Sequence, residues 1–452
     1  MKSLNFKDVA KALNCSYEGE DFPITGVSTD TRTIEKGNLF IPIIGERMDG
    51  HDYIDKAIEN GAAAVLASKD IEAEIPTIYV ENTLDALINL SAYYRSLFSP
   101  KVVGVTGSVG KTSTKEMIYA ALSESLNTIK TIGNRNNEIG LPHTLFTITP
   151  ETEAAVIEMG MVNRGEIDVL TRAVCPDVAV ITNIGVSHIE NLKTRENILL
   201  AKLEIENGLV ADGVMVLCAD NDLLYSVKGK LKHKMIYYGI RQKADIYADE
   251  IEYGDNETSF IIHDGDKSYP AKIPTVGEHN VLNALAAFAV CKSFGLNPEA
   301  SVRGLKNFES SGSRQKIYKH NGVTIIEDCY NASPDSMKAA LWVLKNIKAE
   351  RKIAVLGDML ELGEISEESH RAVGKTAAEN ADIVFTFGPL SKITAKSAEE
   401  QKVPSFHFED KKALVSLLLE TIKKGDAILF KGSRGMKLEE VIEGLLQGDK
   451  NQ

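Results

Sequence analysis

Residues 101–114, KVVGVTGSVGKTST, set the fold of this chain. Val102, Val103 and Val105 form a short β-branched run suited to a buried parallel strand, and Gly107, Gly110, Lys111 and Thr112 follow at once. A strand running straight into such a loop is a phosphate cradle. Its glycines let the backbone turn several N–H groups onto one anion, the Lys111 ammonium adds a point charge, and the Thr112 hydroxyl is placed for Mg²⁺. Thr106, Gly107, Ser108, Val109, Gly110, Lys111, Thr112 and Ser113 are therefore the expected nucleotide-binding residues. A helix is predicted over 113–125, its positive N-terminal end facing the same anion. The strict motif asks for glycine where Val105 stands, so TGSVGKT is a variant. The plain alternative is a Gly-rich turn with no ligand; strand, GKT and amphipathic helix in register favour phosphate binding.

With 452 residues the chain exceeds one core and suits about three domains. Its net charge of -13, with no Lys/Arg block, argues against nucleic acid as a partner. Five scattered cysteines, none in CxxC spacing, suggest neither a disulfide framework nor a zinc site. No apolar run approaches the roughly 18 residues of a membrane span, and the start MKSLNFKDVAKAL lacks a signal-peptide pattern. A soluble, cytoplasmic monomer is expected.

In chain order, residues 1–97 read as a small α/β unit with strands at 24–28, 39–43 and 64–67 and a helix over 53–60. Ser28, Thr29, Asp30 and Arg32 end the first strand, and Arg47, Asp49, Gly50 and His51 occupy the next long polar loop. Polar loops at strand ends bind ligands in α/β units, and ordinary turns would look the same. Residues 98–309 form a second unit. Strand 154–159 carries Glu158 near its carboxyl end, where a Mg²⁺ ligand is expected, and strand 177–182 runs out to His188. A helix is predicted over 194–209, with Lys202 in the apolar run LLAKLEI; taken alone, Lys202 reads as a snorkelling lysine. A β-rich excursion spans 246–273. The Ser/Gly link FESSGSRQKI is the candidate hinge. Residues 310–452 then alternate strands (323–327, 352–356, 383–387, 405–408, 427–431) with helices (335–347, 367–379, 411–423, 436–446), which predicts an open, mostly parallel sheet. The loops 328–335, 357–363 and 431–434 would crowd one edge of it.

The ordered blocks TGSVGKT, GNRNNEIGLP, EMGMVNRGEI, TNIGVSHIENL, AKLEI, GEHNVLNALAA, GSRQKI, EDCYNASPDSM, LGDMLELG and KGSRGMKLEEVI resemble those of the Mur ligases over essentially the whole chain. The third-domain blocks and GVSTDTR fit the family member that joins D-alanyl-D-alanine (D-Ala-D-Ala) to UDP-N-acetylmuramoyl-tripeptide (UDP-MurNAc-tripeptide), and the DNPR block of the preceding ligase is absent. Ser333 stands where asparagine is commoner. The resemblance implies three α/β domains: a small N-terminal one for the UDP-sugar, a central P-loop domain with a mostly parallel sheet for ATP and Mg²⁺, and a Rossmann-like C-terminal one for the incoming amine. It also implies roles. Lys111 would hold the β- and γ-phosphates, Thr112 and Glu158 one Mg²⁺, and His188 a second. Lys202 would carry a CO₂-derived carbamate that ligates metal, which makes Lys111, His188 and Lys202 the catalytic set. Asn137 and Asn283 would lie near the adenine, Arg314 and Asp328 around the nucleotide at the hinge, and Tyr330, Asn331, Ser333 and Pro334 near the amine.

The implied chemistry has a physical logic. A carboxylate is a poor electrophile, so it must first take the γ-phosphoryl of ATP, and a neutral amine can then attack the acyl phosphate. Another carboxylate–amine ligase is the rival within the class. A P-loop GTPase is the rival outside it, but no NKxD guanine-reading block follows the loop.

Overall fold

The computed structural model describes residues 1–72 and 74–448. They divide into two compact units, one of 1–106 with 126–180 and 203–215, the other of 107–125 with 181–202 and the chain from 216 onward.

In the first unit, four short parallel strands lie in the order Gly26–Ser28, Asn38–Phe40, Ala62–Ala67 and Thr77–Tyr79. The strand expected at 24–28 is split: Pro23–Ile24 pairs antiparallel with Leu4–Asn5, and only Gly26–Ser28 joins the sheet. Phe40, Val65 and Ala67 pack on Ile54 and Ala57 of helix Ile54–Glu59. The same unit carries strands Thr128–Lys130, Ala154–Glu158, Lys101–Thr106 and Val178–Ile181, in that spatial order. The first three pair parallel, and Val102, Val103 and Val105 have no accessible surface, as a strand covered on both faces requires. Val105 lies opposite Glu158, so the glycine of the strict motif is replaced by a residue still inside the strand, and the loop begins later.

The second unit opens with helix Lys111–Ser123, which starts two residues before the expected position because Gly110, at φ 80°, takes the N-cap. Strands Val214–Cys218, Lys234–Gly239, Ile246–Tyr253, Thr258–Asp264 and Lys267–Ile273 follow in spatial order, the last three antiparallel. The helix expected over 194–209 is α-helical only for Arg195–Leu203; Glu204–Gly208, which belongs to the first unit, tightens into a 3₁₀ turn. There Glu204 turns its carboxylate to accept from the Gly165 N–H at 2.9 Å, and a Cβ at Gly208 would meet the Thr171 carbonyl at 2.2 Å.

Strands of the C-terminal sheet run in the order Lys316–His320, Val323–Glu327, Ala427–Lys431, Lys352–Gly357, Ile383–Phe387 and Ser405–Phe408. All pairs but the first are parallel. Alternate residues feed two cores: Ile326 and Leu356 on one face, Ile325 and Val355 on the other. Helix Lys392–Glu400 corrects the sequence reading, which ran strand 383–387 directly to strand 405–408. Parallel neighbours need a crossover, and this helix buries only Thr394, Ala395, Ser397 and Ala398, a stripe without the large apolar residues that mark a core-facing helix in sequence. Because their strands are parallel neighbours, the loops after Glu327, Gly357 and Lys431 leave the same edge, as expected. No helix among the described residues is long and apolar enough to cross a membrane.

Candidate active site

The phosphate loop is shaped by segment 182–187. Asn183 binds it twice, its carbonyl accepting from the Ser108 N–H at 3.0 Å and its Oδ1 from the Val109 N–H at 2.9 Å, while Thr182 Oγ1 donates to the Val109 carbonyl at 2.6 Å. Gly107 is obligatory, since a Cβ there would lie 1.8 Å from Thr182 Oγ1. Lys111 Nζ donates to the Gly107 carbonyl at 2.8 Å, arching over the loop. Thr106 Oγ1 and Ser108 Oγ are buried with no hydrogen-bond partner among the described residues. Orphaned hydroxyls around a glycine loop at a helix N-terminus fit an anion such as the phosphates of ATP. Thr112 is buried and Ser113 half-buried on the first turn.

Lys202 is 1 % exposed, which overturns the snorkelling reading. Burial, reinforced by the charge of Lys111, pulls its ammonium well below the usual lysine range. A neutral amine is the form that reacts with CO₂. His188, at φ 63°, follows the loop-shaping segment, and Ser187 Oγ donates to the Ser108 carbonyl at 3.2 Å. His188 Nδ1 lies 2.8 Å from Glu361 Oε2 but out of line for a hydrogen bond.

A polar chain leaves the P-loop helix. Thr114 Oγ1 donates to Asn283 Oδ1 at 2.8 Å, Asn283 Nδ2 to Asn280 Oδ1 at 3.2 Å, and Asn280 Nδ2 to Gln315 Oε1 at 3.2 Å. The Gln315 N–H then donates to Asp328 Oδ1 at 3.2 Å, and Lys431 Nζ to Asp328 Oδ2 at 2.7 Å. His279 also meets Gln315, at 2.7 Å, and burial lowers its pKa. The predicted Asn283 and Asp328 are thus joined through Asn280 and Gln315, and Lys431 holds the far oxygen of Asp328; the sequence reading gave none of these three a role. Arg314 stacks on Tyr330, its guanidinium carbon 3.6 Å from the ring centroid. The Asn331 side chain accepts from the Ala332 N–H, and Ser333 caps helix Pro334–Asn346 in a capping box with Ser336. Serine supplies that cap as well as asparagine would, so the departure at Ser333 is structurally neutral.

Of the predicted residues in the first unit, Glu158 is buried and receives a hydrogen bond from Asn136 Nδ2 at 2.7 Å, a neighbour the sequence reading passed over for Asn137. Asn137 Oδ1 accepts from the Gly140 N–H where helix Gly140–Leu145 begins. Ser28 is buried beside Asp30 and Thr33. Thr29 meets His143 at 3.1 Å. Arg32 grips Asp30 bidentately and holds its carboxyl down at about 2. Asp49 bridges His51 and Lys69, and His51 Nε2 accepts the Ser68 N–H at 3.1 Å, so both His51 nitrogens serve the fold. Gly50 touches the Ile43 backbone too closely for any Cβ, and Arg47 is exposed on the adjoining loop.

Among the described residues no three His, Cys, Asp or Glu side chains gather as a metal site. The donor types still suit Mg²⁺: in the second unit the Thr112 hydroxyl and the buried Lys202, which CO₂ would convert to an oxygen donor, and in the first unit the buried carboxylate Glu158.

Strand, loop, helix and flanking polar chain define a P-loop nucleotide-binding α/β protein. The chain matches the descriptions Mur ligase family, catalytic domain over 23–95, Mur ligase middle domain over 105–291, and Mur ligase, glutamate ligase domain over 313–434. It belongs to the Mur ligase family. It is 42% identical over 456 residues to the UDP-N-acetylmuramoyl-tripeptide--D-alanyl-D-alanine ligase of Bacillus subtilis, covering 98% of each chain, and 36% identical to that of Escherichia coli over 98% of this chain and 99% of the relative. Among solved structures it resembles MurF from Acinetobacter baumannii, with TM-score 0.92, 32% identity and 99% of both chains covered. MurF from Thermotoga maritima in complex with ADP matches with TM-score 0.86 and 30% identity, over 95% of this chain and 99% of that one.

Proposed function

We propose that this protein is an ATP-dependent amide ligase that joins D-Ala-D-Ala to the terminal carboxylate of UDP-MurNAc-tripeptide in peptidoglycan precursor synthesis. The carrying observation is the polar chain from Thr114 to Lys431, which ties the phosphate loop to the loop bearing Tyr330, Asn331, Ser333 and Pro334. Residues 1–97 take the UDP-sugar, 98–309 the ATP, and 310–452 the dipeptide. In the first step a carboxylate oxygen bonds to the γ-phosphorus and the bond to the ADP oxygen breaks, giving an acyl phosphate. Loop N–H groups and Lys111 bind the phosphates and stabilise their charge. The neutral amine then attacks the carbonyl carbon, phosphate leaves, and the nitrogen loses a proton to give the amide. Thr112, Glu158, His188 and a carbamate on Lys202 would hold Mg²⁺, which when bound spreads the phosphoryl charge. Excluding water protects the acyl phosphate.

The test is phosphate release from ATP with UDP-MurNAc-tripeptide, comparing D-Ala-D-Ala with single amino acids. Release specific to the dipeptide is expected, with Lys111→Ala inactive yet folded. Equal release with a single amino acid would reassign the substrate.

A further inference from the structure

Lys431 is a lysine with almost no accessible surface, at the carboxyl end of a central strand, and the phosphate chemistry above does not use it. All three of its ammonium hydrogens have acceptors on one loop: Asp328 Oδ2 at 2.7 Å, the Asn331 carbonyl at 3.1 Å and the Asp328 carbonyl at 3.4 Å. That loop runs on through Tyr330, stacked under Arg314, to the cap of helix Pro334–Asn346. Asp328 faces the other way as well, since its Oδ1 accepts from Gln315, the end of the chain that starts at Thr114. Thr114 lies one turn along the helix from Lys111. The carboxylate of Asp328 is therefore shared between a relay from the phosphate loop and the lysine that ties down residues 328–331.

We infer that Lys431 is a positioning residue that couples nucleotide occupancy of the phosphate loop to the order of loop 328–334, and so to capture of the dipeptide amine. The inference rests on the reading of that loop as the dipeptide site. Buried polar chains transmit small displacements because each member has few alternative partners. A lysine with every hydrogen committed fixes its acceptors more tightly than a neutral side chain of the same length. Coupling of this kind is reciprocal: nucleotide tightens dipeptide binding by the factor by which dipeptide tightens nucleotide.

Two readouts test it on the full-length protein. The first is D-Ala-D-Ala affinity by calorimetry in the presence of UDP-MurNAc-tripeptide, with and without a non-hydrolysable ATP analogue and Mg²⁺. Wild type should show a tightening of about fivefold or more. Lys431→Met should bring the ratio near one, Lys431→Arg should recover part of it, and Gln315→Ala should reduce it from the other end of the relay. The second readout needs no dipeptide. The chain has a single tryptophan, Trp342, on helix Pro334–Asn346. Analogue binding should change its emission in wild type and not in Lys431→Met. The inference is overturned if Lys431→Met keeps the wild-type affinity ratio or emission change, or if wild type shows neither. Failure of the dipeptide reading appears separately, as wild-type protein that releases no phosphate with the dipeptide while Trp342 still reports the nucleotide in a Lys431-dependent way.

Discussion

Asn136 Nδ2 donates a hydrogen bond to Glu158 Oε1 at 2.7 Å, and Glu158 is buried at the carboxyl end of its strand. The bond fixes the carboxylate's rotation and so which oxygen edge it offers to a cation. Asn136→Ala should raise the Mg²⁺ concentration for half-maximal turnover by about 10- to 100-fold, the usual effect of losing a ligand's orienting partner. An unchanged Mg²⁺ titration in a folded variant would show that Asn136 orients nothing of use.

Lys202 should be carbamylated in the active enzyme. The neutral amine attacks CO₂, an N–C bond forms and the nitrogen loses a proton, leaving an oxygen donor where an ammonium stood. Lys202→Ala should lose nearly all activity and regain part of it with added short-chain carboxylate. Lys202→Arg retains charge without carbamate chemistry, so wild-type turnover by that variant would end the idea. Intact mass spectrometry under CO₂ trapping offers a check free of kinetics.

Thr114→Val keeps the shape of the side chain but removes the donor to Asn283 Oδ1, leaving a buried acceptor unpaired. A loss of about 1–3 kcal/mol in denaturant unfolding is expected. The Asn283→Ala background should shrink that loss, because the acceptor is then gone; equal losses in both backgrounds would mean that the bond is not what stabilises.

His370 has no accessible surface; its Nδ1–H donates to the Ser366 carbonyl at 2.8 Å and its Nε2 accepts the Met359 N–H at 3.1 Å. Burial lowers its pKa below 6.5. Below pH 6.5 the unfolded chain binds a proton here that the native state does not, so stability falls with acid, by up to about 1.4 kcal/mol per pH unit from this group. Unfolding measured from pH 7.5 to 5 should show a shallower slope in His370→Gln. An identical slope would place the acid sensitivity elsewhere.

Local chemistry determined much of this protein. The β-branched run at 102–105, the glycines at 107 and 110 and the alternation of the last third are short-range signals, and they fixed the P-loop, the parallel C-terminal sheet and the edge where its loops gather. Lys111, Asn283, Asp328 and Glu158 were reachable from the ordered blocks. Helix Lys392–Glu400 was not, because its buried stripe is made of small and hydroxylated residues and the segment as a whole carries too little apolar side chain to announce a core-facing helix. The burial of Lys202 was not either: periodicity along one helix cannot say whether a lysine stem reaches water, and only the packing around it does. Likewise Asn136, Gln315 and Lys431 acquire meaning through partners 22, 13 and 103 residues away, Glu158 for the first and Asp328 for the other two. Hydrogen bonds across such separations depend on how strands are ordered, which tertiary structure alone decides.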